Sequence, residues 1–480
     1  MRRVFAIVAV VAIVASCTAS PSSDMPDTTA PSTSHAPSTT LPFVEGGAGI
    51  GDDSYPQLGN GGYDVQSYGL DVTYRTDGSV EIDALITAVA EQNLSQFNLD
   101  FVGWEIASLT VDGADTGFRR ADGELIVEQV RIPSGTRFAI DISYGGVPEP
   151  IQSMALPFPL GWFDGPEGEQ FVVAQPDGAH SWFPGNDHPL DKATFTFEIT
   201  VPNGFVAAAN GELTDVTNTG TATTYSWDMD DPMAAYLATL VIGEGWEIID
   251  DPASADAAGI PIRNMLPPDL VANPPEALSK TGEMIQVLEG AFGPYPFDEY
   301  GIAVVGGFEH ALENQTLSVF GRDMVERSYF EYVLVHELAH QWFGDSVSLA
   351  QWADIWLNEG FATYAELLWV EHLYGTAAYH EEVANRIQAA REAAYGPPGT
   401  PSPNDLFNRT VYQRGSFVLV ALRDEVGDDA FFEILRAHAS RFANGNATTE
   451  EFIALAEEIS GRVLERLFDE WLYGEELPTG

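Results

Sequence analysis

The sequence has one cysteine in 480 residues, so no disulfide can form within the chain. Positive charge is scarce: 21 Lys and Arg stand against 72 Asp and Glu, a formal net charge of −51. Lysine is confined to Lys192 and Lys280. A surface this acidic repels nucleic-acid phosphates and anionic lipid heads, which excludes DNA and RNA as partners. The apolar run from Val4 to Ala15 has 12 residues, too short for a spanning helix of about 20. Apolar residues as such are not lacking. At 45% hydrophobic and 11% aromatic, the chain can bury a large core, which excludes wholesale disorder. Its length suggests two to four domains of roughly 100–200 residues.

Arg2 and Arg3 precede the short apolar run, and Ser16 and Cys17 follow it. This is the layout of a secretory signal. Val14-Ala15-Ser16-Cys17 resembles the lipobox of bacterial lipoproteins, in which the cysteine becomes a lipid-bearing N-terminus. The resemblance implies a signal peptide over 1–17, lipidation at Cys17, and an extracytoplasmic protein anchored to the cell membrane by its acyl chains. A plain secretory signal, giving a secreted protein, is the alternative. From Thr18 to Pro42, 17 of 25 residues are Ser, Thr or Pro. Such composition predicts a disordered tether, assigned to 18–54.

Residues 55–248 read as a β domain. Leu70, Val72 and Tyr74 alternate with polar residues, as do Phe138, Ile140 and Ile142, and Asp-Gly turns recur. An antiparallel, sandwich-like domain is expected there. Residues 249–480 read as mainly helical. Ser328 with Glu331 forms a capping-box pattern opening a helix that Gly344 ends. A second helix is expected over 354–374, stopped by Gly375, and Thr448 with Glu451 predicts another capped start. The fold class is thus α+β, multidomain.

Inside the first predicted helix stands His336-Glu337-Leu338-Ala339-His340. Histidines four apart share a helix face, so both rings reach one metal, with Glu337 beside them to act on a water. Glu359, in Trp356-Leu357-Asn358-Glu359-Gly360, follows His340 by nineteen residues. A turn and a second helix fit in that interval, and Glu359 then completes a three-ligand zinc site with one position open. His180, His188 and His310 are spare imidazoles, read as structural. Asp354 is read either as a helix cap or as a group orienting a zinc ligand.

The run from His336 to Asp345, with Glu359 at its spacing, resembles the aminopeptidase N family, gluzincin-type zinc metallopeptidases. The resemblance covers about Tyr55 to the end and implies an N-terminal β domain before a thermolysin-like, mainly helical catalytic domain. It implies one Zn²⁺ per chain, held by His336, His340 and Glu359, with Glu337 catalytic. Val411-Tyr412-Gln413-Arg414-Gly415 resembles the family's V-Y-E-K-G segment, which implies that Tyr412 stabilises the oxyanion. Ala311-Leu312-Glu313-Asn314 resembles the end of G-A-M-E-N, with His310 at the glycine and Leu312 at the methionine. It implies that Glu313 binds the substrate's α-amine; Glu309 is the competing carboxylate. Gln175, nine residues before Pro184, resembles the glutamine by which the β domain helps hold that amine. The activity implied is release of N-terminal residues from peptides. The alternatives are an endopeptidase of the same fold, a hydrolase of another bond, and a metal-bearing binding module without turnover.

Overall fold

The computed structural model describes residues 41–393 and 395–478. Cys17 and the signal-like segment lie outside them. Among the described residues no helix is long and apolar enough to cross a membrane.

The N-terminal half is built on an eight-stranded sheet. At its centre, β1 (Tyr63–Tyr74) pairs antiparallel with β2 (Val80–Ala90), and β2 with β3 (Arg137–Gly146). The alternation read in the sequence sets the faces. Leu70, Val72 and Tyr74 on β1 and Phe138, Ile140 and Ile142 on β3 are all buried. Within this sheet one pairing departs from the antiparallel expectation: β4 (Lys192–Pro202) runs parallel to β1. Smaller sheets of four and five strands complete this half.

The expected disordered tether ends earlier than residue 54. Val44 pairs with Leu94, and Asp52 is buried. Its carboxylate accepts hydrogen bonds from the Ser54 and Trp352 amides, both at 2.7 Å, and from the His188 ring at 3.0 Å. Composition alone could not anticipate these distant partners, which hold the segment against both halves of the molecule.

The C-terminal half opens with a five-stranded sheet that includes β5 (Gly301–Val305), β6 (Ala311–Leu312) and β7 (Leu317–Gly321). The short β6 lies at the edge, antiparallel to β7, and delivers Glu313 to the interior. Helices follow: α1 (Phe330–His340), α2 (Trp356–Tyr374), α3 (Thr376–Ala393) and α4 (Arg409–Val426). The capping box expected at Ser328 and Glu331 is not formed. Helix α1 starts without a side-chain cap, because Glu331 is taken by Lys280 at 2.6 Å and the Trp369 indole at 2.8 Å. The helix also ends at His340, ahead of Gly344. The box at Thr448 and Glu451 is present, and Gly375 ends α2 with φ +84°.

Helix α2 is buried at 14 of its 19 positions, the pattern of a central helix rather than an amphipathic surface one. It meets α4 at two glycines. A Cβ on Gly415 would stand 2.9 Å from the Gly360 Cα, and one on Gly360 would stand 2.8 Å from the Gly415 carbonyl carbon. The backbones therefore touch, and the contact fixes Glu359 of α2 relative to Tyr412 of α4. Gly415→Ala is expected to lower unfolding stability by about 1–3 kcal/mol, as overpacking does. Gly290→Ala, on a helix with open space around it, should instead stabilise by roughly 0.5–1 kcal/mol. Denaturant unfolding of both variants checks this; equal stability of Gly415→Ala and wild type would show that the helices can part freely.

Candidate metal centre

Helix α1 carries His336 and His340 one turn apart, with ring centroids 4.9 Å apart. Glu359, in the first turn of α2, faces them. One of its oxygens lies 3.4 Å from His336 Nε2 and 3.5 Å from His340 Nε2. All three residues are buried.

The outward nitrogens are already committed. His336 Nδ1 faces Glu366 at 2.9 Å, and His340 Nδ1 faces the Phe343 carbonyl at 3.1 Å. Each ring donates on that side, which leaves Nε2 as the free lone pair pointing at Glu359. Tetrahedral bonds of about 2.0–2.1 Å to one zinc place ligand atoms about 3.3–3.4 Å apart. The separations found here match that spacing, so the donor set fits zinc in number, type and distance.

Electrostatics point the same way. Burial pushes the Glu359 carboxyl up, but His340 and His336 outweigh it and hold it at about 2. Burial also opposes a charge on His336, yet Glu359, Glu366 and Glu337 drive its pKa well above the usual imidazole value. His340 is likewise raised, burial being outweighed mainly by Glu359 and Glu313. A buried carboxylate facing two imidazoles thus draws in positive charge, which a divalent cation supplies in place of protons.

Around this centre lie the other residues read from the sequence. Glu337 is buried; burial raises its pKa, with His336 and His340 opposing. Tyr412 stacks on His336 with ring centroids 6.0 Å apart, and burial pushes its phenol well above the usual value, so it stays a neutral donor. Glu313, Glu337 and His340 bring one atom each within 4.8 Å of one another. Burial pushes the Glu313 carboxyl up to about 8, and its side chain accepts a hydrogen bond from the Gln175 amide of the β domain. Glu309 is exposed, so of the two carboxylates Glu313 is the one near the centre.

The spare groups have other partners. His180 pairs with Asp187 at 2.6 Å, His188 with Asp52 at 3.0 Å, and His310 stacks on Phe158. Asp354 does not orient a ligand: it accepts from Thr449 at 2.6 Å, tying the start of α2 to the helix Thr449–Ser460.

The orienting carboxylate is Glu366, which the sequence reading missed. It lies seven residues after Glu359, two turns along the same face of α2. Arg386 of α3 holds its other oxygen at 2.8 Å. Gln341 was also missed. Its amide donates to the Glu313 carbonyl at 3.0 Å and accepts from the Thr316 amide at 2.8 Å, clamping the Glu313 turn to the end of α1.

A helix bearing both imidazoles and a carboxylate from the next helix define a zinc site, and the β domain reaches the same centre through Gln175. Comparison with known proteins agrees. Residues 65–237 match the Peptidase M1 N-terminal domain and residues 276–471 the Peptidase family M1 domain. The crystal structure of an M1 zinc metallopeptidase from Deinococcus radiodurans superposes with a TM-score of 0.81 at 32% identity, covering 90% of this chain and 98% of that one. A mutant of that enzyme, bound to a Tyr-Ser-Ala substrate, gives a TM-score of 0.82 at 31% identity, with the same coverage of both chains. Among curated relatives, a probable aminopeptidase 2 of Sulfurisphaera tokodaii is 24% identical over 79% of this chain, and aminopeptidase N of Streptomyces lividans 26% identical over 85%. The chain spans 50% of the length of each of these two. The chain belongs to peptidase family M1, and zinc is the metal of its site.

Because Glu366 fixes the His336 ring, Glu366→Ala should weaken zinc binding by about 10–100-fold. Wild-type affinity should also keep rising with pH above about 6.5, since zinc must displace protons from rings whose pKa values are raised. Competition with a chromophoric chelator at pH 6 and 8 reads both effects. Unchanged affinity in the variant would contradict the first, and a plateau by pH 6 the second.

Proposed function

We propose that the protein is a zinc aminopeptidase that removes N-terminal residues from peptides. The observation that carries this reading is the buried Glu313 carboxylate, within 4.8 Å of Glu337 and His340. A carboxylate so close to the metal ligands leaves room for one residue, and among the described residues no lysine or arginine pairs with it, which favours a ligand that brings an ammonium.

Zinc held by His336, His340 and Glu359 supplies Lewis acidity towards the scissile carbonyl and the attacking water. Glu337 takes the water's proton as the C–O bond forms and delivers it to the amine nitrogen as the C–N bond breaks. Tyr412 donates a hydrogen bond to the carbonyl oxygen as charge gathers there. Glu313 and the Gln175 side chain hold the α-ammonium, so that only the first peptide bond meets Glu337. An endopeptidase has no use for a buried carboxylate at this distance, and a binding module has none for Glu337 or Tyr412.

The deciding experiment compares one peptide with free and acetylated N-termini. The free form should be cleaved and the acetylated form should be a poor substrate. Removing one partner of such a buried pair costs about 2–5 kcal/mol, so Glu313→Ala should lower kcat/KM for free peptides by roughly 30-fold or more, while Glu309→Ala changes little. Equal cleavage of both peptides would remove the aminopeptidase reading and leave the metal centre standing.

We also propose that the protein is an extracytoplasmic lipoprotein anchored through Cys17. The support is the sequence alone: a 12-residue apolar run, a lipobox-like tetrapeptide, and the sole cysteine at its end. Cys17→Ser should move the protein from the membrane fraction to the soluble one. Mature wild-type protein without lipid by mass spectrometry would refute the anchor.

A further inference from the structure

Broad clefts of about 590 and 660 Å³ lie along α3 and between helices away from Glu313. The cavity that reaches the proposed amine site is smaller, about 290 Å³, on the scale of one side chain. Leu160, Phe308 and Leu312 form its buried inner walls, and Phe158 and His310 stand at its mouth.

Two of its lining residues tie it to the metal centre. Gln175 is hydrogen-bonded to Glu313, and Tyr412 is stacked on His336. An α-carbon whose amine meets Glu313 and whose carbonyl meets Tyr412 therefore turns its side chain into this cavity.

The lining contains no carboxylate and no lysine or arginine. Its basic group is His310, whose pKa burial holds below the usual value while the neighbouring Glu309 opposes that shift. A charged side chain entering here would lose water without gaining a partner, which is costly.

The mouth has a specific geometry. The His310 imidazole lies nearly flat on Phe158, with ring centroids 4.4 Å apart and planes at 17°. Phe158 belongs to the β domain and His310 to the loop before β6, so the two rings form a wall across the domain boundary. Phe308 meets His310 edge-on at 5.7 Å, which continues the aromatic lining inward. A flat aromatic wall suits another ring, by offset stacking or edge contacts.

We infer that the His310–Phe158 ring pair makes the enzyme select large uncharged N-terminal residues, aromatic ones above all. This rests on the aminopeptidase reading and adds the class of residue removed. His310 acts as a specificity determinant, since it lies away from the scissile bond.

The test uses the zinc-loaded full chain and aminoacyl-4-nitroanilides of Phe, Leu, Ala, Lys and Glu. Wild type should favour Phe over Lys and Glu by at least about tenfold in kcat/KM, the penalty for burying an unpaired charge. His310→Gly should lower kcat/KM for Phe by about 3–10-fold, mainly through KM, and leave Ala within about twofold, while His310→Phe keeps the wild-type ratio. Calorimetry with zinc-loaded Glu337→Gln adds a readout without turnover: L-phenylalanine should bind more tightly than L-lysine, and His310→Gly in that background should narrow the difference. A preference for Lys, or equal losses for Phe and Ala in His310→Gly, would overturn the inference alone. Failure of zinc-loaded wild type to cleave any of the anilides would overturn the aminopeptidase reading and this inference with it.

Discussion

A carboxylate lies 3.4 and 3.5 Å from two imidazoles inside the protein, where unpaired charge is costly. Much of the catalytic half is arranged to keep them there. Glu359 cannot relax away, because its helix is buried nearly all round and touches α4 through Gly360 and Gly415. The imidazoles cannot turn, because Glu366 and the Phe343 carbonyl hold their outer nitrogens. Arg386 in turn holds Glu366, which carries the constraint from the metal centre out to α3. The site is thus specified by groups that never touch a metal.

The β domain takes part in the same construction. Lys192, one of the chain's two lysines, donates to the Asp345 and Ser346 carbonyls at 2.6 and 3.0 Å, just past the end of α1. Asn210 donates to the Gln315 carbonyl at 2.7 Å, and Asn314 to the Leu237 carbonyl at 3.0 Å. The last two bonds lock the turn that presents Glu313, which Gln341 ties to α1 from the other side. The distance from Glu313 to the imidazoles is therefore set by both halves of the molecule. Under the proposed aminopeptidase activity, that distance is what confines cleavage to the first peptide bond.

The local patterns were legible in the sequence. Alternation gave the faces of β1 and β3, and spacing in His336, His340 and Glu359 gave the ligand set, because a helix period turns directly into geometry. What escaped were groups whose partners are remote in the chain. Glu366 is one acidic residue on a helix until His336, 30 positions earlier, is seen against it. Glu331 looked like a cap, but Lys280 and Trp369 claim it. Asp354 looked able to reach a ligand, but Thr449 takes it. The folded start of the β domain was hidden for the same reason, since Asp52 finds its partners at His188 and Trp352. In each case a tertiary hydrogen bond overrode a local preference.

A zinc held by two imidazoles and one carboxylate has a distinctive local structure. Zinc K-edge X-ray absorption on the stoichiometrically loaded protein tests it most directly. The expected result is a first shell of nitrogen and oxygen at about 2.0–2.1 Å, with outer-shell scattering from two imidazole rings and no sulfur. Scattering from three or more imidazoles, or from one, would contradict it.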